Sequence, residues 1–118
     1  MGTSGRYTVT DDDTAVALGS GDVPMLGTPR LVAWMEAVTV SAARPYLGTG
    51  QTSVGAAVRI RHRRPTRVGG SVEVHADLRD RATNNRLTFA VTAMDAGGHV
   101  IADGEIERAV VERETFGG

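Results

Sequence analysis

The stretch TPRLVAWMEAVTVSAARPYL, from Thr28 to Leu47, constrains this chain more than any other, because between Leu31 and Ala43 its only charge is Glu36. Leu31, Met35, Val38 and Ala42 recur at helical spacing, and Val32, Trp34, Thr39, Val40 and Ala43 keep the remaining sides uncharged. A helix that is apolar nearly all round has to be buried by something larger than itself. Thr28 and Pro29 suit its start, since a hydroxyl can cap an orphan N–H and proline lacks the donor not needed there. Pro45 and Gly48 close it.

The elements that could cover such a helix follow it. Residues 53–64, SVGAAVRIRHRR, alternate by two, with Val54, Ala56, Val58, Ile60 and His62 on one face and Gly55, Ala57, Arg59, Arg61 and Arg63 on the other. The turn PTRVGG leads into a strand at 71–80, TNN leads into RLTFAVTAMD, and AGG leads into a long strand from His99 to Glu112. A short strand from Arg6 to Thr10 precedes the helix, ended by three aspartates that favour solvent. LGSGDVPMLG at 18–27 is interrupted too often by glycine and proline to be regular. Consecutive strands joined by tight turns are antiparallel, so the chain reads as an α+β domain. Its five-stranded antiparallel sheet curls around one long central helix.

Composition closes several routes. The 118 residues suit one domain, 1–118, and 41% hydrophobic with 23% charged residues is ordinary for a soluble globular protein. The absence of cysteine removes disulfides, thiol nucleophiles and thiolate metal sites. No secretion signal or membrane-spanning run is apparent, which predicts a cytoplasmic protein with no membrane partner.

Three residues carry the candidate chemistry. Glu36 lacks a charged neighbour at i−4 or i+4, so it either reaches solvent or an interface, or serves as a nucleophile or general base in a partly dry setting. His62 lies in phase with Val58 and Ile60 and points toward the helix, as a packed histidine or an active one. Thr28 is a cap, or else part of a helix start whose N–H groups hold an oxyanion. His75 and His99 fall out of phase or beside a turn and are expected at the surface. No His and carboxylate pair has metal-motif spacing, so no metal is expected. Five arginines within 59–67 could bind phosphate or simply solvate an outer face. A net charge of −1 and only five aromatic residues argue against nucleic acid.

These residues resemble the hotdog-fold acyl-CoA thioesterases, and within them the fluoroacetyl-CoA thioesterase group. The likeness runs from about Val23 to Val111 and is clearest in GTPRLVAWMEAVTVSAARPYL, SVGAAVRIRHRRPTRVGG and GEIERAVV. Thr28, Glu36 and His62 stand at the relative spacing of that group's catalytic Thr, Glu and His. The resemblance implies a hotdog fold, a homodimer with sheets joined edge to edge, an acyl-CoA substrate, and no cofactor beyond the CoA of the substrate. It implies Glu36 as nucleophile or general base, His62 in proton transfer and Thr28 in orientation. Gly69 and Arg108 match a glycine after the histidine strand and an arginine on the final strand, both expected near the substrate. Arg63, Arg64 and Arg67 are candidates for the CoA phosphates on charge alone. The fluoroacetyl-specific enzyme carries a Phe-rich lid before its threonine, whereas this chain offers Val23, Met25 and Leu26. A more open lid, admitting a longer acyl group, is therefore expected.

Two other readings stay open: a hotdog protein that binds an acyl-CoA without hydrolysing it, since fold does not fix function, and an Arg-rich nucleic-acid binder indifferent to CoA.

Overall fold

A computed structural model describes residues 2–117 of the chain. It contains β1 (Thr3–Thr8), a 3-10 turn (Asp11–Asp13), the short helix α1 (Ala15–Leu18) and the long helix α2 (Thr28–Ala43). A second 3-10 turn (Arg44–Tyr46) leads to β2 (Gln51–His62), β3 (Ser71–Ala82), β4 (Arg86–Asp95) and β5 (Val100–Glu112). The strands make one antiparallel sheet in the order β1-β3-β4-β5-β2, and α2 packs against all five.

The stripe read from the sequence is the one that is buried. Leu31, Met35, Val38 and Ala42 join Val72, Val74, Leu87, Phe89, Val91, Ile101 and Ile106 in a single core. Removing roughly a Leu or Phe side chain from such a site costs about 2–5 kcal/mol, because the cavity left behind collapses only partly. Tyr7 of β1 stacks on Trp34 of α2, with ring centroids 4.7 Å apart and planes within 7°. The buried Thr39 donates its hydroxyl to the Glu36 carbonyl at 2.7 Å, which satisfies it within the helix.

Three expectations change. First, residues 65–70 are a crossover and not a hairpin turn, because β2 pairs with β5 while β3 pairs with β1. Leu26 N–H donates to the Thr66 carbonyl at 2.8 Å, and Gly69 N–H donates to that of Val9 at 2.8 Å. Proline and glycine signal a change of direction but carry no information about which strand lies alongside. Second, β1 is Thr3–Thr8 rather than residues 6–10. Third, the three aspartates form a turn in which Asp13 is buried, not solvated. The stretch from Gly19 to Gly27 is irregular as expected, and a helical turn, α1, precedes it, closed by Gly19 at φ 71°.

A bulge also reverses the phase of β2. Its pairing with β5 slips between Gly55 and Ala57, leaving one extra residue on β2. Gly55 opposes the buried Arg108, Val58 the buried Ile106, and His62 the buried Ala102, so all three lie on the side that faces α2. The uniform alternation expected over 53–64 holds only beyond the bulge. β2 ends the sheet, and among the described residues nothing pairs with its outer edge. α2 itself exposes Pro29, Ala33, Ala37 and Val40 at helical spacing, a small apolar strip.

Candidate active site

Thr28 is the first residue of α2, and Gly27, not Thr28, occupies the N-cap. Its hydroxyl is therefore free of capping, and it meets Nδ1 of His62 at 2.8 Å. Pro29 has no N–H, and those of Arg30 and Leu31 both reach the Gly27 carbonyl at 3.1 Å. Within that first turn the Thr28 N–H alone remains for an incoming oxygen.

His62 ends β2 and is half-buried. Burial lowers its pKa below the ordinary 6.5, and a backbone contact with Arg64 acts weakly in the other direction. The ring is thus neutral near pH 7. Its Nε2 is buried and has no hydrogen-bond partner. A buried polar atom left unpaired costs about 1–3 kcal/mol, so the fold bears this cost to hold the ring against Thr28.

Glu36 lies elsewhere. Eight residues of helix put it about 12 Å along the axis from Thr28. Its carboxylate rests over Gly55, where an added Cβ would stand 2.6 Å from Oε2. Arg108 flanks the same spot: it is 5% exposed and donates Nε to Ser53 Oγ at 2.8 Å and Nη2 to the Ser53 carbonyl at 3.1 Å. Burial lowers the Arg108 pKa while the Glu36 charge raises it, and the guanidinium stays charged. One chain therefore holds two separate clusters, Thr28 with His62 and Glu36 with Arg108.

A cleft of about 370 Å³ opens over Thr28 and His62. Val23, Met25 and Leu26 line it with Ala15, Thr28 and His62, and Arg63 and Arg64 stand at its rim. The lid residues differ among themselves, since Leu26 is buried in the core while Val23 is 50% exposed. Glu36 does not border this cleft.

The remaining expected residues are scattered. Gly69 sits at φ 90° in an exposed turn with open space where a Cβ would go, so backbone conformation explains it and no close approach does. The glycine that does allow a close approach is Gly55, beside Glu36, which the alternation had turned outward; a glycine inside a strand is itself a signal of a bulge or close approach. Arg108 is buried beside Glu36 and away from the cleft. Arg63 makes two bonds to Asp103, at 2.9 and 3.1 Å. Arg64 stands at the cleft rim, and Arg67 lines a neighbouring groove with Thr66 and Ser71. Glu105 likewise engages Arg59 at 3.0 Å, so acids of β5 neutralise part of the arginine run. His99 is exposed as expected, and His75 is half-buried against Glu73 at 3.1 Å.

A long helix held in a curled antiparallel sheet, with a Thr–His pair where helix and edge strand meet, defines a hotdog domain. A model of the family described as fluoroacetyl-CoA-specific thioesterase matches residues 9–114, and the chain belongs to that family. A fluoroacetyl-CoA thioesterase of Streptantibioticus cattleyicolor is 38% identical over 92 residues, 78% of this chain. That match spans 65% of the relative's length. A structure of the fluoroacetyl-CoA thioesterase FlK superposes with a TM-score of 0.88 at 30% identity, covering 98% of this chain and 89% of that one. A hot-dog-like protein from Thermanaerovibrio acidaminovorans gives 0.85 at 26% identity, over 100% and 92%.

Proposed function

We propose that this protein is an acyl-CoA thioesterase, acting on a small or medium acyl group, whose site joins Thr28 and His62 of one subunit to Glu36 of the partner subunit. The observation that carries this reading is the Thr28–His62 hydrogen bond in the lining of an apolar-walled cleft. Family membership supports the substrate class. The separation of the two half-sites supports assembly from two chains.

The free edge of β2 supplies the route. Antiparallel pairing of two β2 strands about a two-fold axis near Arg59 brings His62 of each chain to within about a residue of Gly55 on the other. The Glu36 carboxylate over that Gly55 then approaches the neighbouring Thr28 and His62. The exposed strip of Pro29, Ala33, Ala37 and Val40 is covered at the same time. A long open edge is a hazard that native proteins cover, and a second copy covers this one. A homodimer of this kind, in the cytoplasm, completes the reading.

The chemistry follows from placement. The thioester carbonyl lies against the Thr28 N–H, whose positive end stabilises the oxygen as it gains charge. Glu36 attacks the carbonyl carbon directly or takes the proton of an attacking water. The C–S bond then breaks: after attack by water, the proton taken by Glu36 passes by way of His62 to the departing CoA thiolate, and after direct attack, water hydrolyses the glutamyl anhydride and supplies that proton. The acyl chain lies along Val23 and Met25, and Arg64 and Arg67 face the CoA phosphates. Arg63, already held by Asp103, contributes least.

The test is thiol release from a panel of acyl-CoAs with the unsubstituted protein, Glu36→Gln, His62→Ala, and a refolded mixture of the two variants. Each variant alone is expected to lose turnover. The mixture regains about a quarter of full activity, because half of randomly formed dimers carry one intact site of two. Release by Glu36→Gln alone would remove Glu36 from the chemistry, and no regain in the mixture would remove the shared site. The separation of the half-sites also admits a second reading: a chain that stays monomeric and binds CoA without releasing thiol is a ligand-binding hotdog protein.

A further inference from the structure

The Thr28–His62 contact depends on where α2 begins, and the helix does not set that by itself. Its N-cap is Gly27, which has no side chain to hold the first turn. The hold comes from Asp13, in the 3-10 turn after β1. The Asp13 carbonyl accepts the Gly27 N–H at 2.9 Å, and its carboxylate accepts Thr10 N–H at 2.8 Å and the Thr10 hydroxyl at 2.9 Å. The other carboxylate oxygen lies 2.9 Å from Arg30 Nε. One residue therefore grips the chain on both sides of Thr28, immediately before it and two residues after it.

We infer that Asp13, acting through Arg30 and Gly27, is a positioning residue for Thr28. Successive helix positions turn about 100°, so Arg30 projects roughly opposite to Thr28 and braces the helix from behind. The pair is partly shielded: the Asp13 side chain is 13% exposed and that of Arg30 36%, with Arg30 Nε itself buried. A clamp on the other side, Leu26 N–H to the carbonyl of Thr66 four residues past His62, stops the chain from sliding when the brace pulls. A partly buried ion pair is a poor source of net stability, and its better-attested use is to select one arrangement over others. Here the arrangement selected is the 2.8 Å approach of the Thr28 hydroxyl to His62.

The inference rests on the thioesterase reading for its kinetic arm alone. Asp13→Asn, Arg30→Met and Arg30→Lys are compared for kcat and KM on an acyl-CoA turned over by the unsubstituted protein. The imidazole nitrogen NMR signals of His62 are recorded beside those of Thr28→Val, which lacks the contact. Asp13→Asn and Arg30→Met are expected to lower kcat about 10-fold at unchanged KM, since small misplacement of a reacting group is costly. Their His62 signals move toward those of Thr28→Val, and Arg30→Lys, which keeps the charge, retains most of both readouts. Unchanged kcat and unchanged His62 signals, with only a lower melting temperature, would overturn the inference and leave Asp13 a structural residue. Should no acyl-CoA be turned over, the thioesterase reading fails, and the His62 signals of the same variants still decide the role of Asp13.

Discussion

Gly55 of β2 lies directly beneath Glu36 of α2, so close that a Cβ on that glycine would stand 2.6 Å from the carboxylate oxygen. The helix position and the strand position are matched to each other, and the missing side chain is what lets a carboxylate lie against the sheet. Gly55→Ala is therefore expected to displace Glu36 and lower kcat about 10-fold or more, with little change in melting temperature, because the site is open to solvent on one side. Steady-state kinetics and thermal unfolding of the one variant check both halves. Full activity would show that the carboxylate needs no such seat.

Thr28 separates its two roles by chemistry. Thr28→Ser keeps the hydroxyl and is expected to keep most activity. Thr28→Val keeps the shape, removes the bond to His62, and is expected to lower kcat by about 10²-fold. Because Gly27 is the N-cap, neither change removes a cap, and the melting temperatures of the two variants should agree. A large loss of stability in Thr28→Val would return Thr28 to a capping role.

What could be read ahead of the structure, and what could not, follows from the range of each interaction. The stripe of Leu31, Met35, Val38 and Ala42 was legible because helical burial is periodic and local, and the left-handed Asn85 at φ 63° was legible because Asn tolerates that turn. The partner of β2 was not legible, since alternation marks a strand without marking its neighbour. The burial of Asp13 was hidden for the same reason: Arg30, which neutralises it, lies 17 positions away. Gly55 was misplaced by a single bulge, which turns every residue on one side of it to the other face. Thr28, Glu36 and His62 were singled out by their places on the helix and strand and grouped by resemblance to a family; helical spacing alone sets Glu36 about 12 Å from Thr28, but which of them His62 meets depends on where β2 lies.

His62 carries a signed pH dependence. In the isolated chain, burial holds its pKa below 6.5. The carboxylate of Glu36 from the partner subunit would act in the opposite sense by favouring the imidazolium. The His62 pKa, followed by its ring-proton NMR signals, is thus expected to be lower in Glu36→Gln than in the unsubstituted protein. In Glu36→Gln the unfolded chain takes up the proton more readily than the folded one. The contribution of neutral His62 to stability is then complete above about 6.5 and is lost as pH falls from there through the folded-state pKa. Equal pKa values in the two proteins would mean that no carboxylate reaches this ring.

Phe89 tests the core apart from the site. It is fully buried between α2 and the sheet, and Phe89→Ala is expected to cost about 3–5 kcal/mol in denaturant unfolding. The Tyr7–Trp34 stack ties β1 to the outer part of α2, and Trp34→Ala should cost less, because Trp34 is only partly buried. The reverse order would place the centre of the core nearer β1.

Val58 lies on the α2-facing side of the free strand edge and is 41% exposed in the single chain. If two β2 strands pair about Arg59, Val58 enters a dry interface, where a carboxylate without a partner is strongly disfavoured. Val58→Glu is expected to leave the fold intact, since the residue is solvent-facing in the monomer, yet to convert dimer to monomer by size-exclusion chromatography with light scattering. Turnover should fall together with the dimer fraction and return as protein concentration is raised, because Thr28 and His62 would regain the carboxylate they lack. A fully active monomer would place Glu36 of the same chain, or no Glu36 at all, in the reaction.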